Sequence, residues 1–144
     1  MNLRLPTLRA SLSLLCGLTV LASPLASRAA ELSDDDSKFM TIYEQVLKAL
    51  VTDNLNAAKD AAHALPNEAG AAILKAGDLK AARTAFVPLS DQAEKITAGN
   101  ADYHVFYCPM VKHDWVQKSP TVANPYMGKE MLTCGVEKKA DKKS

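Results

Sequence analysis

At 144 residues, 48% hydrophobic and with a formal net charge of +1, the chain has the size for one modest core and not two. Without residues 1–29, which carry Arg4, Arg9 and Arg28 and no acid, 14 basic residues face 16 acidic ones, a formal net charge of −2. No cationic surplus is left to neutralise phosphates, so nucleic acid is not an expected partner.

Residues 1–29 read as a secretory signal peptide. Arg4 and Arg9 precede an apolar run from Ser11 to Ala22 that is too short to span a bilayer. Ser27-Arg28-Ala29 supplies small residues for cleavage after Ala29. The expected destination is the periplasm, with no integral membrane segment once the peptide is removed. Cys16 leaves with it, so Cys108 and Cys134 are the remaining thiols, in a compartment that oxidises thiols. The expected organisation is a signal peptide over 1–29, a helical bundle with a C-terminal metal-binding motif over 30–136, and a disordered basic tail over 137–144.

The spacing predicts a helix from Ser33 to Asn54. Ser33 or one of Asp34 to Asp36 can cap it, and Phe39, Ile42, Tyr43, Val46, Leu47, Leu50 and Val51 fall on one face. Asp53 or Asn54 can cap a second helix bearing Leu55, Ala58, Ala62 and Leu65, which stops near Pro66. His63 there reads as an ordinary surface histidine. A short third helix, Glu68 to Ala76, ends at Gly77. Asp78 caps a fourth, with Leu79, Ala82, Phe86, Leu89, Ala93 and Ile96 at steps of three and four. Pro88 is expected to kink or restart it, with Ser90 and Asp91 available to re-cap. The expected fold class is all-α: an antiparallel three- to four-helix bundle with an irregular Cys/Met-containing segment, Tyr103 to Gly135, packed across it. Pro109, Pro120 and Pro125 prevent that segment from being one helix.

The chemistry-bearing residues lie in this last segment. Cys108-Pro109-Met110 offers a thiolate and a thioether on a stiff link. Met131 and Cys134 repeat the pairing at a spacing of three, which a helical turn places on one face. Two thiolates with one or two thioethers form a soft set that suits Cu(I) or Ag(I). His104 and His113 keep zinc as the runner-up, because with Cys108 and Cys134 they would make a Cys2His2 set. The competing reading is a structural Cys108–Cys134 disulfide, with a stabilisation of roughly 3 kcal/mol for a loop of about 25 residues in the chain-entropy model. Met127 and Met131 also have a reading as packing residues, and Tyr103, Tyr107, Trp115 and Tyr126 read as packing and hydrogen-bonding residues. Asn124-Pro125-Tyr126 reads as a turn, with Gly128 free to take positive φ. No paired carboxylates, Ser/His/Asp set, phosphate loop or base for Cys108 stands out, so the chain does not read as an enzyme.

Two stretches carry a resemblance. Tyr107-Cys108-Pro109-Met110, followed by Asn124-Pro125-Tyr126-x-Gly128-Lys129-x-Met131-Leu132-x-Cys134-Gly135, resembles the signature of a family of bacterial periplasmic domains (domain of unknown function 3347). That domain occurs alone and fused to the adaptor, or membrane-fusion, subunits of copper/silver efflux pumps. Leu47 to Ala62 and Ala81-Ala82-Arg83-x-Ala85-Phe86-x-x-Leu89-Ser90 are similar to it as well. Between Met110 and Asn124 the chain departs from the usual Gly-Ala-x-Trp-Leu-Ser run, keeping Trp115 and Ser119. The resemblance implies a helical domain tied to heavy-metal handling, with Cys108, Met110, Met131 and Cys134 on motif positions and His104 and His113 off them. The expected function is therefore a periplasmic Cu(I)/Ag(I) binding protein that buffers the metal, confers resistance, or delivers it to an efflux adaptor or assembly partner. The alternative is a non-metal helical interaction module held by the disulfide.

Overall fold

Ser33 opens the first helix, its hydroxyl accepting the Asp36 N–H at 3.1 Å. The computed structural model describes residues 31–139, so the expected signal peptide and residues 140–144 of the expected tail lie outside the described residues. Helix α1 runs Asp34–Val51, α2 Leu55–Ala62, α3 Glu68–Lys75 and α4 Leu79–Ile96. Asn54, Asn67 and Asp78 cap the last three through side-chain oxygens that accept from Ala57, Gly70 and Ala81, satisfying donors that a helix start leaves free. Asp53 turns the chain between α1 and α2 at φ 56°, a left-handed conformation that Asp tolerates better than most residues. Pro88 lies inside a continuous α4. Ser90, expected to re-cap a broken helix, is instead buried and hydrogen-bonded to the Tyr43 hydroxyl at 3.0 Å.

The apolar faces meet as their spacing requires. Met40, Tyr43, Val46 and Leu50 from α1 and Ala82, Phe86, Leu89 and Ala93 from α4 are buried, with the Tyr43 and Phe86 rings stacked at 5.1 Å between centroids.

The all-α expectation is overturned. After α4 the chain forms a three-stranded antiparallel sheet, β1 His104–Cys108, β2 His113–Gln117 and β3 Val136–Lys138, in the order β2-β1-β3, so the fold is mixed α and β. The hairpin register pairs Cys108 with His113 and His104 with Gln117, and β3 pairs Tyr107 with Val136. The physical cause lies in the residues: Val105-Phe106-Tyr107 and Trp115-Val116 are β-branched or aromatic. The Pro109–Lys112 turn reverses the chain with Lys112 at φ 57° and its N–H on the Cys108 carbonyl at 2.8 Å. Phe106, Cys108, Trp115, Val116 and Tyr126 join the helical residues in one buried cluster. Glu137 and Lys138, expected in a solvated tail, belong to β3; the Lys138 ammonium stands 2.6 Å from Asp114 and 3.5 Å from Glu94. Among the described residues no helix is long and apolar enough to cross a membrane.

Candidate metal centre

Cys108 ends β1 with its side chain in the core. Cys134 arrives from the other side. The chain passes through Asn124-Pro125-Tyr126, a short 3-10 helix η1 over Gly128–Met131, and a tight turn in which the Cys134 N–H donates to the Met131 carbonyl at 3.0 Å. Both cysteines carry free thiols, Cys108 buried and Cys134 half-buried. Desolvation pushes the Cys134 pKa up, and the charge and hydrogen bonding of the Cys108 sulfur push it further.

Asn124 joins the two cysteines. Fully buried, it directs its amide N–H2 to Cys108 Sγ at 3.1 Å and to the Cys134 carbonyl. Its Oδ1 accepts the Tyr126 and Met127 N–H groups at 2.8 and 3.1 Å. Its backbone N–H donates to the Leu132 carbonyl, and its carbonyl accepts from Gly128 N–H. The residue thus fixes both sulfur-bearing strands of chain.

A second clamp holds this loop to the helices. Arg83 on α4 donates through Nε to the Pro125 carbonyl at 3.0 Å and through Nη2 to Asp53 and the Leu50 carbonyl. Asp53 Oδ2 accepts the Lys129 N–H at 3.3 Å. Gly128 passes over this pair at φ 58°, and a Cβ there would collide with Asp53 Oδ1 and Arg83 Nη2. Gly135 packs so closely on the Trp115 ring that a Cβ would strike it.

The other expected ligands are placed unevenly. Met110 in the β1–β2 turn is 61% exposed and Met131 at the end of η1 is 39% exposed, so neither thioether is committed to the core; Met127 is partly buried and packs against it. His104 sits at the far end of β1 from Cys108, its Nδ1 2.7 Å from Glu137. Four residue steps of strand separate it from Cys108, about 13 Å at strand rise. His113 lies across from Cys108 in the hairpin, exposed, its ring tilted toward Tyr126 at 6.2 Å. Among the described residues no three His, Cys, Asp or Glu side chains converge on one point, so the Cys2His2 arrangement is not assembled here. A set of two thiolates completed by thioethers needs no such convergence.

Sequence reasoning reads Asn124 as a turn former and Asp53 as a possible helix cap, and gives Arg83 no role beyond its place in the resemblance. The Asn-Pro-Tyr signature already held the clue, since a polar residue fixed beside two cysteines and a proline is often bonded inward. Comparison with protein-family models, with curated proteins and with solved structures returns no match to this chain.

Proposed function

We propose that the chain is a periplasmic binding protein for a soft monovalent metal, Cu(I) or Ag(I), held by Cys108 and Cys134 with Met110 and Met131 as further donors, and that it buffers the ion or passes it to a partner. The observation that carries this reading is the buried Asn124 amide, which donates to Cys108 Sγ and to the Cys134 carbonyl and so binds the two cysteine segments together. Paired sulfurs supply the donors that Cu(I) favours over harder cations, and the Asn124 amide holds one of them in place. Two thioethers left exposed, Met110 and Met131 within three residues of Cys108 and Cys134 in sequence, also fit this role.

Delivery requires a surface that a partner can approach. The exposed large hydrophobic residues among those described are Met110, Val111, Met131, Leu132 and Val136. All five fall within a few residues of Cys108 or Cys134 in sequence or strand register. The resemblance of the terminal motif to domains fused to copper/silver efflux adaptors points to the same kind of partner.

The same Asn124 bridge between the two cysteines favours a second reading, in which Cys108 and Cys134 close a disulfide that staples the sheet to its return loop. Protein purified without oxygen and titrated with Cu(I) against a chromophoric chelator separates the two. The metal reading expects two titratable thiols that become protected as one Cu(I) binds, and no retention by the Cys108→Ser, Cys134→Ser protein. Thiols that cannot be detected under any handling, with no copper retained, would leave the staple.

A further inference from the structure

A cavity of about 390 Å3 opens between α4 and the β1–β2 turn. Its walls are apolar: Val87, Val111 and the ring of Tyr126, whose hydroxyl is already committed to the Asp114 carbonyl at 2.6 Å. Lys80, Arg83 and His113 line the same space.

These basic groups are unequally used. Lys80 is exposed and its ammonium makes no ion pair among the described residues. Arg83 commits Nε to Pro125 and Nη2 to Asp53 and Leu50, which leaves Nη1 with donors that no described residue accepts. The His113 ring has no hydrogen bond there either. No carboxylate lines the cavity; Asp53, which offsets part of the guanidinium charge, is bonded to Nη2. A concave apolar space with a few convergent donors is the form that small-molecule sites take, and the fixed guanidinium fork of Arg suits carboxylate.

We infer that this cavity binds a small organic carboxylate, its anionic head held by Lys80 and Arg83 Nη1 and its apolar body lying on Val87, Val111 and Tyr126. The site uses neither thiol and stands independently of the metal reading.

Octanoate is a suitable probe, titrated into the full-length, isotopically labelled, reduced protein and followed by amide chemical shifts, with octanol and inorganic phosphate as the other two arms. The expected result is saturable binding of octanoate, with shifts at Lys80, Thr84, Val111 and His113, and binding of octanol and phosphate at least about fivefold weaker. Lys80→Glu, an exposed helical position that leaves the fold intact, should weaken octanoate about fivefold or more. Val87→Trp, which fills the cavity, should abolish binding. Absence of saturable octanoate binding, octanol or phosphate binding as tightly as octanoate, or a Lys80→Glu protein with unchanged affinity would each overturn the inference.

Discussion

The Asn124 amide nitrogen stands 3.1 Å from Cys108 Sγ, and the same amide group holds the Cys134 carbonyl. One buried side chain therefore ties both cysteine segments together. Its removal has a structural and a chemical consequence that two substitutions separate. Asn124→Ala strands the Tyr126 and Met127 N–H groups and the Cys134 carbonyl, and should destabilise the fold by about 3–5 kcal/mol. Asn124→Asp keeps the Oδ1 acceptor but turns a carboxylate oxygen toward sulfur. It should weaken Cu(I) binding beyond what its stability loss explains, because the added charge repels thiolate. Urea unfolding and chelator competition on both proteins give the two numbers; equal Cu(I) affinity in wild type and Asn124→Asp would remove Asn124 from the site.

In the proposed site, selectivity would rest on the thioethers. Met110 and Met131 are exposed, so replacing both by Leu should change stability by no more than about 0.5 kcal/mol per site while Cu(I) affinity falls. His104→Gln with His113→Gln should leave Cu(I) binding unaltered, since the two imidazoles do not converge with the thiols. Binding must displace a proton from Cys134, whose pKa is raised by desolvation and by Cys108. Apparent Cu(I) affinity should therefore fall as the pH is lowered. Chelator competition across a pH series tests all three. A Met→Leu protein at full affinity alongside a weakened His→Gln protein would mean different ligands and a harder metal.

Which parts of this molecule could be read from the sequence follows from the range of the interactions involved. The four helices were legible because caps and apolar spacing act within a turn or two: Ser33, Asn54 and Asp78 cap where expected. Pro88 shows the limit, since packing of Phe86 and Leu89 keeps α4 continuous through a residue that locally disfavours it. The sheet was missed because its strands are five, five and three residues long, too short for alternation to register. Its third strand also returns from 28 residues beyond the end of β1. The cysteines and methionines could be picked out by their chemistry, and Cys108 and Cys134 share the Asn124 amide as a partner. Asn124, Arg83 and Asp53 act through partners 10 to 76 residues away, and residue type alone does not announce such a partner.

Gly128 offers a test of the clamp between loop and helices. A Cβ there meets Asp53 and Arg83, and the backbone sits at φ 58°, so Gly128→Ala combines left-handed strain with a steric clash against an ion pair. A destabilisation of about 2–4 kcal/mol is expected, read by urea unfolding. Gly77, where an added Cβ meets nothing and φ is not positive, serves as control: Gly77→Ala should be neutral or stabilise by up to about 1 kcal/mol. Similar losses at both positions would show that the clamp is not what Gly128 protects.

Tyr43 ties the two layers together, and its ionisation gives the fold a predictable alkaline limit. Its hydroxyl bonds Ser90 on α4 and accepts the Val116 N–H of β2, each at 3.0 Å, so α1, α4 and the sheet share one buried polar junction. Tyr43→Phe leaves the Val116 N–H unpaired in the core and should cost about 1–3 kcal/mol. Burial pushes the Tyr43 pKa up in the folded chain, against the hydrogen bonds to Ser90 and Val116 that pull it down. The unfolded value is about 10. A raised folded pKa means that the native state holds its proton where the unfolded chain has lost it. The Tyr43 contribution is therefore complete below about pH 10 and declines as pH rises above it toward the folded pKa. Tyr126, raised by burial in the same way, adds to the decline in the same window. Unfolding free energy measured by denaturant at pH 8 to 11 should fall in the wild type, and fall less steeply above pH 10 in Tyr43→Phe, with the remaining slope carried by Tyr126, Cys134, Lys118 and Lys138, whose pKa values are also raised in the folded chain. Identical slopes in the two proteins would mean that the Tyr43 hydroxyl is not sequestered from water and that the junction between helices and sheet is open.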